Sequence, residues 1–138
     1  MKKTAWVLLL SLCACTNKTK APLVHVSLTD SNRSIRFSGL DLAVINEINR
    51  DSVPEVWETL VPVFRMPKDT DLKNYQPVQH GKYVLKDSSI VFTPDIPFVK
   101  GQKYFTRCYR FEGNGIWDYI KGKKRLGDTE YSDVVVKP

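Results

Sequence analysis

Beyond its first fourteen residues, this chain has no apolar segment that sustains helical periodicity for more than a few turns. Its hydrophobic residues fall instead into strand-length runs separated by Gly, Pro, Asn, Asp and Ser. Leu23, Val24, Val26 and Leu28 predict an entry strand. Ser34 to Leu40 alternates, with Ile35 and Phe37 on one face and Arg36 and Ser38 on the other. Val61 to Met66 reads as a further strand, where Pro62 implies a sheet edge or a strand start. Lys82–Leu85 and Ser89–Thr93 flank Lys86-Asp87-Ser88 and predict a hairpin. Pro94 to Gly101 makes a corner into a long aromatic strand, Gln102–Phe111, and Glu130–Val136 closes the chain as a last strand. Pro67 to Gly81 is polar and turn-rich, expected as a loop or irregular edge strand.

One stretch departs from this pattern. Leu42, Val44, Ile45 and Ile48, then Val56, Trp57 and Leu60, recur at helical spacing, interrupted by Val53-Pro54. Pro54 is a plausible first helical residue, its fixed φ and missing N–H being tolerated there. The expected fold class is therefore all-β, an antiparallel β-sandwich with a short helical insertion.

The N-terminus carries a separate signal. Lys2 and Lys3 precede an apolar run, Ala5, Trp6, Val7, Leu8, Leu9, Leu10 and Leu12, too short to span a bilayer. Leu12-Cys13-Ala14-Cys15 follows, and it resembles the lipobox of bacterial lipoproteins, which are cut before a cysteine whose thiol carries diacylglycerol. That site needs a small residue before the cut. Ala14 provides one for Cys15, whereas Cys13 would follow Leu12. The resemblance implies a signal peptide over 1–14, a lipidated tether over 15–22, and a domain over 23–138. It also implies a membrane partner, reached through acyl chains on Cys15. Thr16, rather than Asp, follows the acylated cysteine, which by likeness to the proteobacterial sorting rule favours the outer membrane.

Cleavage after residue 14 leaves 124 of the 138 residues, enough for one core. It removes Lys2 and Lys3 and no acid, taking the net charge from +6 to +4. So mild and dispersed a charge, on an exported chain, argues against a nucleic-acid partner. Cys108 is then the sole thiol and no internal disulfide can form, so it is expected buried as a small hydrophobe. A nucleophilic Cys108 would need a base, and His25 and His80 fall at a strand edge and a hairpin turn.

Ile90 to Arg110 holds a more specific pattern: Phe92-Thr93-Pro94, then Pro97-Phe98, Gly101, and Tyr104 opening the next strand. It resembles the bacterial immunoglobulin-like domains of surface-layer and secreted proteins, sandwiches related to fibronectin type III. The resemblance implies that Tyr104 packs inward and ties its hydroxyl to backbone a few residues upstream. Tyr104, Thr106 and Cys108 would then face the core, with Phe105, Arg107 and Tyr109 facing outward or toward a neighbour. As a whole the chain is similar to small single-domain lipoproteins of Bacteroidetes-type bacteria, which implies location and fold but no activity.

Three groups of residues are candidates for a site. Trp117 and Tyr119, with Lys121, Lys123, Lys124 and Arg125 close behind, would offer aromatic platforms and cations to an anionic glycan. The favoured alternative is a long hairpin whose Ile116, Trp117 and Tyr119 cover the end of the sandwich. Asp69-Thr70-Asp71 has calcium-loop spacing but lacks the closing acid, and reads as a solvated turn. Neither histidine has a ligand-spaced partner, so no metal site is expected. Asp41, Glu47, Asp51, Glu55 and Glu58 are a generic acid set of the kind glycosidases use, here read as solvent-facing. Phosphate loops, nucleophile elbows and paired-cysteine motifs do not occur. The expectation is a non-enzymatic, cofactor-free, lipid-anchored envelope module that binds a protein or polysaccharide. A glycan-binding accessory and a small envelope hydrolase are the alternatives.

Overall fold

The computed structural model describes residues 24–50, 54–111 and 115–138. The expected signal peptide, Cys15, the tether and Asp51 lie outside the described residues.

Among the described residues seven strands form two antiparallel sheets. The first has the order β1–β2–β5–β4, from β1 (His25–Thr29), β2 (Ser34–Ser38), β4 (Gly81–Lys86) and β5 (Ser89–Pro94). The second has the order β3–β6–β7, from β3 (Val63–Arg65), β6 (Tyr104–Tyr109) and β7 (Tyr131–Val136). The chain is mostly β, and the arrangement is compatible with a β-sandwich. Alternation puts Ile35 and Phe37 of β2 opposite Phe92 and Ile90 of β5, and all four are fully buried. They join Val63, Tyr104 and Val136 of the second sheet in one core cluster.

Local chemistry explains the turns. Asp87 and Ser88 both have positive φ, 49° and 60°, as a two-residue hairpin twisted to match its strands requires. Asp30, Ser31 and Asn32 do the same between β1 and β2, where the Arg33 N–H donates to the Asp30 carbonyl at 3.1 Å. At the other end of β4, a Cβ on Gly81 would sit 2.6 Å from Phe92 Cε2 and 2.8 Å from Pro94 Cα, so only glycine lets the strands approach.

The interrupted helical stretch is two helices, α1 (Leu42–Arg50) and α2 (Pro54–Leu60). Asp41 caps α1, its Oδ1 accepting the Ala43 N–H at 2.8 Å. Val44, Ile45 and Ile48 point one stripe of α1 into the core, joined by Trp57 and Leu60 of α2. Through contacts with both β4 and β6, α2 links the two sheets.

Tyr104 is buried, and its hydroxyl accepts the Val99 N–H at 3.0 Å. Phe105 faces away from the core cluster toward a neighbouring segment and is only 1% exposed. The outer face of the second sheet is covered by residues 66–80. There the Phe64 ring stacks on Phe105 with centroids 5.0 Å apart, and the Lys73 ammonium lies 4.7 Å above the Phe105 ring. That stretch is pinned down by a 3-10 turn at Thr70–Tyr75, a bridge pairing Val78 with Phe64, and a 2.7 Å bond from the Gln79 N–H to the Val63 carbonyl. Its polar composition hid this role, because the cover is made by Lys73 and Asn74 while Leu72 and Tyr75 remain exposed.

Candidate ligand pocket beside the third helix

The connection from β6 to β7 holds a helix where a long hairpin was expected. It is α3 (Gly115–Ile120), followed by a 3-10 turn at Leu126–Asp128. The helix ends in a Schellman motif. Gly122, at φ 71°, donates its N–H to the Tyr119 carbonyl at 2.9 Å, and the Lys123 N–H reaches the Asp118 carbonyl at 2.7 Å. This reversal returns Lys124 and Arg125 alongside the helix they follow.

Ile116, Trp117, Tyr119 and Ile120 pack against the core cluster, and α3 contacts α1. The Tyr119 ring lies 6.1 Å from Phe111, and its hydroxyl lies near Thr59 of α2. Burial pushes this phenol up. The Thr59 hydroxyl donates to the Glu55 carbonyl at 2.8 Å.

These three helices and residues 122–126 border a half-open pocket of about 520 Å³, with Lys124 and Arg125 at its exposed side. Ile48, Val56, Ile120 and Leu126 give it an aliphatic lining, and Glu47, Thr59, Tyr119, Lys124 and Arg125 add polar groups. Glu47 is held by Arg50 at 2.6 Å. No ion pair involves Lys124 or Arg125 among the described residues. The pocket thus joins Tyr119, Lys124 and Arg125 from the aromatic and basic stretch. Trp117 is partly buried against the core, and Lys121 and Lys123 are exposed; none of the three lines the pocket.

The acid set is dispersed. Asp41 is a helix cap, Glu47 is paired with Arg50, Glu55 sits in the first turn of α2, and Glu58 binds His80 Nδ1 at 2.7 Å. Asp69 likewise caps a turn, its Oδ1 accepting the Asp71 N–H at 3.0 Å. Among the described residues no group of three or more His, Cys, Asp and Glu side chains is placed to hold a metal ion. Cys108 is buried beside a separate apolar cavity of about 50 Å³, bounded by Trp57, Phe111 and Ile116. Burial, then the nearby Asp133 charge, push its thiol up to about 11, which keeps it protonated at neutral pH.

A second polar cluster escaped the sequence reading. On the outer face of the second sheet, Arg107 Nε donates to Asp133 Oδ1 at 2.9 Å and its Nη2 to Oδ2 at 3.2 Å, with a further bond to Asn74 at 3.0 Å. Lys73 meets the same carboxylate at 2.7 Å, and the guanidinium lies 3.9 Å over the Tyr131 ring. The available signal was register: Arg107 pairs with Asp133, and Tyr109 with Tyr131. No helix among the described residues is long and apolar enough to cross a membrane. Comparison with protein-family models, curated proteins and solved structures finds no match.

Proposed function

We propose that this chain is a lipid-anchored, non-enzymatic envelope module of immunoglobulin-like fold that binds its partner at the pocket between α1, α2 and α3. The observation that carries the binding role is the pocket itself. Its volume of about 520 Å³ lies within the range of small-ligand sites, and it pairs an aliphatic lining with a few charged groups. The immunoglobulin-like reading draws support from strand order: β1–β2–β5–β4 and β3–β6–β7 correspond to the ABED and CFG sheets of a constant-type domain. The Tyr104–Val99 bond supports it too, since such sandwiches tie a tyrosine to backbone at this corner.

Anchoring rests on Leu12-Cys13-Ala14-Cys15, and the outer membrane on Thr16. The non-enzymatic reading is supported by a protonated Cys108 and by acids engaged in caps and ion pairs. The polysaccharide alternative is weakened by Trp117, which packs against the core instead of standing free as a stacking platform.

Two measurements test this. Cys15→Ser in the full chain moves the protein from the membrane fraction to the soluble one if Cys15 is lipidated; unchanged membrane retention sinks the anchor. The detergent-extracted full chain is then used to retain envelope proteins and, separately, envelope polysaccharides. Filling the pocket with Ile48→Trp or Leu126→Trp, in variants whose melting curves match wild type, abolishes retention if the pocket is the site.

A further inference from the structure

We propose that the pocket takes an aliphatic anion, a single alkyl chain ending in a carboxylate. This rests on the pocket being the binding site and names the chemistry it selects. Ile48, Val56, Ile120 and Leu126 come from three separate elements, α1, α2 and the α3 region, and converge on one space. A ligand rich in hydroxyls or amides would lose hydration against that lining and find few partners. Thr59 spends its hydroxyl proton on the Glu55 carbonyl. The acid is engaged too, Glu47 with Arg50.

The pocket's charges left unpaired among the described residues are cationic. Lys124 and Arg125 carry full charges with no ion-pair partner among the described residues, and both line the cavity. Charge-assisted bonds from such donors to a carboxylate are the strongest polar contacts the pocket can offer. A volume in the lower half of the range for ligand sites favours one chain over the two of a phospholipid.

Membrane vesicles holding the lipidated full chain are labelled with a diazirine-bearing decanoate, and the modified peptides are mapped by mass spectrometry. Labelling falls on peptides of α1, α3 and residues 122–126, and unlabelled decanoate competes while acetate and decanol do not. Replacing both cations, Lys124→Gln with Arg125→Gln, weakens competition about tenfold or more, as loss of charge-assisted bonds should. These surface changes leave folding intact, so their readout does not depend on the pocket-filling variants. Equal competition by decanol, or no effect of the double variant, overturns the anion; equal labelling by a diazirine diacyl phospholipid overturns the single chain. If decanoate fails to label but Leu126→Trp still abolishes partner retention, the site stands and the ligand class falls. Failure of both removes the pocket as a site.

Discussion

The phenolic oxygen of Tyr104, at the start of β6, accepts the backbone N–H of Val99 across 3.0 Å, tying the Pro94–Gly101 corner to the core. The ring is also packed against Phe98, with centroids 4.6 Å apart. Tyr104→Phe keeps the packing and removes only the acceptor. It should cost about 1–2 kcal/mol, the price of an unmade hydrogen bond at a partly buried donor. Urea unfolding will show a lower midpoint at unchanged slope; an unchanged midpoint would mean that the corner holds without this bond.

Phe105 distinguishes a covered second face from a solvated one. Its ring is stacked on Phe64 and overlaid by Lys73, so Phe105→Ala should cost about 3–4 kcal/mol, as truncation of a core aromatic does. A loss under about 1 kcal/mol would fit an exposed surface residue and contradict the cover formed by residues 66–80.

Asp133 should dominate the acid limb of stability. Burial alone would raise its carboxyl, but hydrogen bonds from Arg107 and Lys73 outweigh it and hold the group below its ordinary 3.8. A lowered folded value means that the contribution is present above 3.8 and is lost as pH falls through the folded value. Asp133→Asn should cost about 1.5–3 kcal/mol at pH 7, because Arg107 keeps its charge and loses its carboxylate. The variant's stability should also fall less steeply than that of wild type below pH 4, measured by urea midpoints across pH.

Cys108 gives the opposite sign. Its folded value of about 11 lies above the ordinary thiol value of 9.0, so its stabilising contribution is complete below 9 and is lost as pH rises toward 11. Between those limits wild type should lose stability relative to Cys108→Ala. At pH 8 a thiol-reactive dye should label wild type only on unfolding, and rapid labelling of the folded protein would contradict the burial.

Elements whose signal is local were legible in the sequence. Ile35 and Phe37 alternate along β2, Asp87-Ser88 takes up the hairpin, and Pro54 opens α2 after an interruption that marks two helices. Each depends on neighbours within a few residues, where periodicity and turn preferences act. The α3 helix was missed because it is six residues long, starts at glycine and ends in a glycine-dependent reversal, so its stability comes from packing on the core.

By itself the sequence determined which faces of the strands and helices are apolar, where the chain turns, and that Lys124 and Arg125 follow closely on Tyr119. Only the tertiary structure decided what those residues face. Side-chain alternation specifies two faces of β6 but not what covers each: it leaves Phe105 facing outward or toward a neighbour, and only the fold brings residues 66–80 over it. The pocket has the same origin. Its aliphatic lining is drawn from Ile48, Val56, Ile120 and Leu126, far apart along the chain, and they converge only because the sheets and helices pack to bury one common core.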